Sequence, residues 1–258
     1  MRYAIVSFVP KWCRVSVIIC FILVSQNSIA VTNQFTFVQL HYNGGNWDTH
    51  PNAWSEIYHF ITTTTSINAS FDRKEITSID ESIANYPIIY ITGTTEFLPF
   101  TSLEISNLQK FLEGGGILFV DDCVGIENMG FTKSMKKELA RIFPDKKLEK
   151  IEKDNALFFS FYFLPEVSGC RIAKKYLEGI KANNQVSVLY SYNDLFGIWE
   201  RDKLGNWLFQ CVPNGENQRL QAMKLTVNII MYALTGTYKL DAIHSPFIKE
   251  KLKKIERP

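Results

Sequence analysis

The sequence is short of the residues that announce a metal or cofactor motif. Its 258 residues include 5 cysteines and 4 histidines, with no CxxC pair and no HExxH. His41, His50, His59 and His244 lack metal-site spacing, so no zinc site is expected from spacing alone. Gly44-Gly45 is followed by no Walker lysine and no G-x-G-x-x-G occurs, which excludes a phosphate loop of either kind. The apolar run at residues 15–24 holds ten residues, well short of the roughly 20 that cross a bilayer. Charge of one sign is scarce as well: 28 Lys+Arg stand against 26 Asp+Glu.

Even that small basic excess is confined to one end. Arg2, Lys11 and Arg14 precede the apolar run, no acidic residue accompanies them, and Ser28-Ile29-Ala30 offers small residues where a signal peptidase reads. A cleaved secretory leader over residues 1–30 is therefore expected, the alternative being an uncleaved anchor that also recruits residues 4–9. Without the leader 25 basic residues face 26 acidic ones, so nothing points to a nucleic-acid partner, and no transmembrane segment is expected after cleavage. Cys13 and Cys20 leave with the leader, so Cys123, Cys170 and Cys211 remain, in an oxidising compartment. Cys170 and Cys211 are candidates to pair, but spacing does not establish the geometry a disulfide needs.

What is present reads as a globular chain that alternates strand and helix. Residues 35–40 form a β-branched and aromatic strand that breaks at Asn43-Gly44-Gly45-Asn46. A helix begins at Pro51, with Trp54, Ile57, Tyr58, Phe60 and Ile61 at helical spacing. A small helix near residues 79–84 precedes residues 87–92, an almost wholly apolar run suited to a strand covered on both faces. Thr101 or Ser102 caps the next helix, which Gly114-Gly115-Gly116 ends. A strand at residues 117–120 carries Asp121-Asp122 at its carboxyl end; residues 135–143 form a helix, and residues 157–163 a strand or buried excursion. Residues 186–190 make another strand, followed by Ser191-Tyr192-Asn193-Asp194, and residues 218–234 the longest amphipathic helix. This order predicts a parallel sheet with helices on both faces and ligands outside the carboxyl ends of the strands. The domain is expected over residues 31–238, with a solvated basic tail at 239–258.

Several segments together resemble a family. Tyr86-Pro87-Ile-Ile-Tyr-Ile-Thr-Gly93, Gly114-Gly115-Gly116-Ile-Leu-Phe-Val-Asp121-Asp122, Leu177-Glu178-Gly179-Ile180, Tyr190-Ser191-Tyr-Asn-Asp194-Leu195 and Asn228-Ile-Ile-Met-Tyr-Ala-Leu-Thr-Gly236 are similar to a bacterial domain-of-unknown-function family (domain of unknown function 4159). The resemblance runs in the same order from about residue 35 to about residue 244. It implies a flavodoxin-like, doubly wound, mostly parallel sheet of the class I glutamine amidotransferase-like type, and an exported protein of the periplasm or cell envelope. Asn155-Ala156 stands where many relatives carry His-Pro, so no role passes to that position.

The chemistry must be sought at the strand ends. Asp121-Asp122-Cys123 sets a cysteine just after a strand, as in a nucleophile elbow, but Asp121 occupies the place where such turns need a small residue, and no His-x-Glu occurs downstream. Cys123 is therefore read as a small semi-buried residue. Asp121 and Asp122 are costly to bury together unless a cation, an arginine or a shared proton offsets them. With Asp194 they form a candidate hard-oxygen site for Mg²⁺ or Ca²⁺; the alternative is that they cap helices or bind loop amides, with Arg219 as a partner. Asn43, Gly44 and Trp47 form a second candidate surface, suited to a carbohydrate or peptidoglycan fragment, with Gly93, Thr94, Ser191 and Asn193 nearby. The expectation is thus a domain that binds an envelope ligand or envelope protein, without amidotransferase machinery. The rival is a metal-dependent envelope hydrolase using the carboxylates, and a third reading is a scaffold in an envelope complex.

Overall fold

The computed structural model describes residues 34–182 and 185–235. The expected leader and basic tail, with Cys13, Cys20 and His244, lie outside the described residues. Seven strands among those residues join in one sheet: β1 Val38–Leu40, β2 Lys74–Ile76, β3 Ile88–Gly93, β4 Ile117–Asp122, β5 Glu149–Lys150, β6 Glu178–Ala182 and β7 Gln185–Ser191. Their order is β2-β1-β3-β4-β7-β6-β5. The pairs from β2 through to β7 are parallel, and β7-β6-β5 continue the sheet antiparallel. Among the described residues four helices flank it: α1 Ala53–Thr64, α2 Ser102–Glu113, α3 Gly130–Ile142 and α4 Gly215–Thr235.

The central strands are apolar on both sides because both sides are covered. Every residue of β3 and β4 is buried. Since side chains alternate along a strand, Ile88, Tyr90, Ile117 and Phe119 enter one core with Trp54, Ile57 and Ile61 of α1 and Leu225, Ile229 and Ile230 of α4. Ile89, Ile91, Leu118 and Val120 enter the other, with Leu108 and Phe111 of α2 and Phe131, Met135 and Leu139 of α3. Opposite the Ile180–Lys181 step of β6, β7 carries Ser187 as an extra residue, a bulge that shifts the register and is why Val186 and Leu189, three apart, share a face.

Local signals set the boundaries. Thr101 is the cap of α2: its hydroxyl accepts from Glu104 N while Glu104 accepts from Thr101 N, a full capping box. Gly115, at φ 100°, turns the chain from α2 into β4 in the left-handed region that glycine tolerates best. The apolar run at residues 157–163 is no strand. It is a 3₁₀ turn, Ala156–Phe159, followed by a loop, and Asn228 of α4 holds it by accepting from Phe161 N and Tyr162 N and donating to Leu157 O and Tyr162 O.

Gly93 closes β3 against Tyr42 of the loop after β1 and Phe131 of α3. A Cβ there would overlap the Tyr42 hydroxyl and lie 2.5 Å from Phe131 Cδ2, and both rings are buried. Gly93→Ala is expected to destabilise the protein by about 2 kcal/mol in urea unfolding, the usual scale of overpacking. A change below roughly 0.5 kcal/mol would show that the two rings can yield.

Candidate functional site

The alternation of β4 decides where its two terminal carboxylates go. Asp121 continues the face of Ile117 and Phe119, and Asp122 that of Leu118 and Val120, so the neighbours point to opposite layers. Both are fully buried. Asp121 accepts from Leu195 N and Phe196 N, each at 2.8 Å, in the loop after β7. Asp122 accepts from Val124 N and Gly125 N at 2.9 Å, from Thr132 Oγ1 at 2.5 Å and from Tyr190 OH at 2.8 Å. The expected set of Asp121, Asp122 and Asp194 is therefore not assembled: Asp122 lies across the sheet from Asp194, and both oxygens of Asp121 are taken by amides. The loop-amide alternative describes both residues.

A different set does meet at the carboxyl edge, on the Asp121 side. His50 lies after β1, Cys123 after β4 and Asp194 after β7. His50 Nε2 lies 2.6 Å from Asp194 Oδ1 and 3.4 Å from Cys123 Sγ. Three backbone constraints bring them together. Cys123 N donates to Gly93 O at 3.2 Å, Asp194 adopts φ 54° with its carbonyl accepting from Cys170 N, and Glu200 accepts from Asn52 N beside His50. Thr92 Oγ1 lies 3.2 Å and Thr49 Oγ1 3.7 Å from the Cys123 sulfur.

Charge is distributed unevenly in this cluster. Burial alone would lower the His50 pKa, but the hydrogen bond and charge of Asp194, with the charges of Asp121 and Glu200, raise it above the ordinary value. Burial works in the opposite direction on Asp194, which His50 nevertheless holds below the usual carboxylate range. The two thus form an ion pair, with side chains 6% and 16% exposed. Burial, then the Asp194 and Asp121 charges, push the Cys123 thiol well up. Burial and Asp194 likewise bring Asp121 up to about 7 against the pull of its two amide partners. Cys123 is consequently a neutral thiol, and it approaches the same imidazole nitrogen as Asp194. A nucleophile relay needs the two on opposite nitrogens.

His50 Nδ1 and Arg171 Nε and Nη2 are buried and have no hydrogen-bond partner among the described residues. Arg171 neighbours the pair: its backbone N donates to Asn193 O at 3.2 Å, and its charge helps to lower the Asp194 pKa. Phe209, 39% exposed, stands edge-on to His50 at 5.9 Å. Ile126, Met129 and Leu208 are exposed apolar residues on the loops leaving the same edge.

The remaining expected residues serve mainly to shape the loops. Asn46 ties the loop after β1 to that after β3, donating to Thr94 Oγ1 and accepting from Thr94 N and Thr95 N. Asn43 is exposed and its carbonyl accepts from Leu98 N. Gly44, at φ 75°, packs on Leu98, and Trp47 lies against His41 at 4.3 Å. Ser191 Oγ accepts from Asn193 N, and Asn193 binds both backbone groups of Lys174. Arg219 does not reach the aspartates: it donates to Ile198 O and Phe209 O and sits 4.5 Å from the Trp207 ring centroid. Cys170 and Cys211 are free thiols in contact with each other.

Sequence reasoning missed His50 and Arg171. His50 carried one usable signal, its place just before a helix start in the loop leaving the first strand; Arg171 carried none. Clefts also open elsewhere among the described residues. One, of about 560 Å³, opens beside Pro87 and Gly114 to Gly116 at the amino edge. Another, of about 880 Å³, runs along Val167, Ser168, Ile172 and Gln218, next in sequence to Arg171.

A family model described as "Domain of unknown function (DUF4159)" matches residues 36–234. The chain belongs to that family. A solved structure described as "mmIFT52 N-terminal domain" is 14% identical to this DUF4159 chain and covers 80% of it and 100% of its own length, with a TM-score of 0.36. No curated protein matches. Among the described residues no helix is long and apolar enough to cross a membrane.

The hydrogen bonds of Asp122 generate a stability prediction. Asp122→Ala leaves four donors on the α3 side without their acceptor, so unfolding free energy is expected to fall by about 3 kcal/mol, the scale for leaving buried donors unsatisfied. Equilibrium urea denaturation measures this, and a loss under roughly 1 kcal/mol would mean that the loop re-pairs without the carboxylate.

Proposed function

We propose that this protein is an exported domain of the class I glutamine amidotransferase-like type that lacks amidotransferase machinery and binds an anionic ligand of the cell envelope over the carboxyl edge of its sheet. Export is supported by the basic, apolar and small segments that succeed one another in residues 1–30. The amidotransferase-like type is supported by the mostly parallel order, in which the chain passes from β1 outward to β2 and then back across to β3. In open α/β sheets such reversals mark the crevice where ligands sit.

The observation that carries the binding reading is the set of unmet donors. Buried polar groups are nearly always hydrogen-bonded, and one left unpaired costs about 1–3 kcal/mol, more when it is charged. Arg171 Nε and Nη2 are buried beside the edge without an acceptor among the described residues. A guanidinium fork matches the two oxygens of a carboxylate or phosphate. Phe209 and Leu208 supply an apolar rim for the uncharged part of such a ligand. A peptidoglycan fragment, which joins sugar to peptide carboxylates, has this chemistry.

Muramyl dipeptide is expected to raise the melting temperature of the protein, by an amount equivalent to about 2.7 kcal/mol at one hundred times its dissociation constant. N-acetylglucosamine, without an anionic group, is expected to give no shift, and Arg171→Met to abolish the response to the dipeptide. Inorganic phosphate in a parallel arm separates a general anion site from a carboxylate-selective one. A response kept in Arg171→Met, or none to either anion in the native protein, would overturn the reading.

A further inference from the structure

We propose that His50 Nε2, Cys123 Sγ and a carboxylate oxygen of Asp194 are the three protein ligands of a divalent transition-metal ion of the zinc class. The three ligand atoms lie within 4.8 Å of one another, and they come from three separate segments at one edge of the sheet. That convergence is what a single ion requires. In a tetrahedral zinc site, with metal–ligand distances of about 2.0–2.3 Å, ligand atoms stand roughly 3.5 Å apart. His50 Nε2 and Cys123 Sγ are 3.4 Å apart already. Asp194 Oδ1, 2.6 Å from Nε2, would have to withdraw by roughly 1 Å, within reach of a side-chain rotation.

The chemistry of the donors selects the ion. Mg²⁺ and Ca²⁺ take all-oxygen sets, whereas an imidazole, a thiolate and a carboxylate together suit zinc and its neighbours. Three protein ligands leave the fourth position open, the pattern of reactive rather than structural zinc sites. Of the two hydroxyls near the sulfur, Thr92 Oγ1 at 3.2 Å gives its proton to Asp121 O, and Thr49 Oγ1 at 3.7 Å is the one placed to donate to a thiolate. On binding, the metal takes the place of the protons on Sγ and Nε2, which pass to solvent, and Nδ1 keeps its own; no electron changes hands.

This inference rests on the carboxyl edge being the functional face, as proposed above, and it names what the ligand would meet there. An anion held by Arg171 would lie beside the open fourth position.

Cobalt(II) titration of the full, reduced protein tests it. One Co²⁺ per chain is expected, with a thiolate-to-cobalt charge-transfer band in the near ultraviolet. The band should persist in the double variant Cys170→Ser with Cys211→Ser, and vanish in Cys123→Ser. Should Cys123→Ser fail to keep native circular dichroism, His50→Gln and Asp194→Asn provide the second measurement, each expected to weaken Co²⁺ binding at least about tenfold in equilibrium dialysis. Absence of the band, or its loss only in the Cys170 and Cys211 double variant, overturns the metal site. Repeating the muramyl dipeptide and phosphate melts in EDTA keeps the two proposals apart. A shift that survives without any cobalt band leaves anion binding standing and removes the metal, and the reverse pattern does the opposite.

Discussion

Asp121 and Asp122 stand side by side at the end of a strand buried on both faces, and the loops on the two sides of the sheet are folded to supply the hydrogen bonds that two buried carboxylates require. Because the strand sends them to opposite layers, they are not left to repel one another in a single pocket. Asp121 fixes the turn after β7 through Leu195 N and Phe196 N. Asp122 fixes the turn after β4 through Val124 N and Gly125 N, and ties it to α3 and β7 through Thr132 and Tyr190. Cys123, the next residue, is thereby held at a defined height above the sheet, and Asp194 is held beside it.

The consequence is an edge where Asp194, Asp121 and the Cys123 thiol crowd around the one imidazole of His50. Asp194 spends its charge on His50, and the thiol of Cys123 and the carboxyl of Asp121 are both pushed toward their neutral forms by burial and by Asp194. Such a cluster adds little to stability, since buried ion pairs are often matched or exceeded by well-packed apolar residues of similar size. The same edge leaves two guanidinium nitrogens of Arg171 and one nitrogen of His50 unmet among the described residues. Buried donors are rarely left unmet, and it is on these that the proposal of an anion at this edge rests.

Much of the fold was legible because it depends on short-range pattern. The apolar runs of β3 and β4 announce strands covered on both faces, Thr101 announces the start of α2, and the apolar content of α4 announces a helix, although its buried face also takes Gln218, Arg219, Thr226 and Asn228 while Leu220 is exposed. The elements that escaped depend on distant partners. β2 and β5 are short edge strands of mostly charged residues, and β6, Glu-Gly-Ile-Lys-Ala, has little apolar pattern; all three exist because a neighbouring strand pairs with them. The aromatic run after Asn155 has strand composition, but Asn228, some 66 to 71 residues away, binds its backbone as a loop.

The candidate site divides along the same line. Asp194 and the aspartate pair were visible as carboxylates after strands, yet their directions were not, because neighbours on one strand face opposite ways and a turn re-aims the residues beyond it. His50 is separated from Cys123 by 73 residues and from Asp194 by 144, so no motif window contains any two of them. Searching for metal-ligand spacing works when a compact loop or a single helix carries the ligands. In a parallel sheet the residues that meet are those placed at corresponding heights after successive strands, and the relevant interval is a whole strand–helix unit rather than a few residues. His50 stands 10 residues beyond β1, Cys123 1 beyond β4 and Asp194 3 beyond β7, so a comparison of the loops position by position does not align them; it is the folding of the loop after β1 that returns the imidazole to the edge.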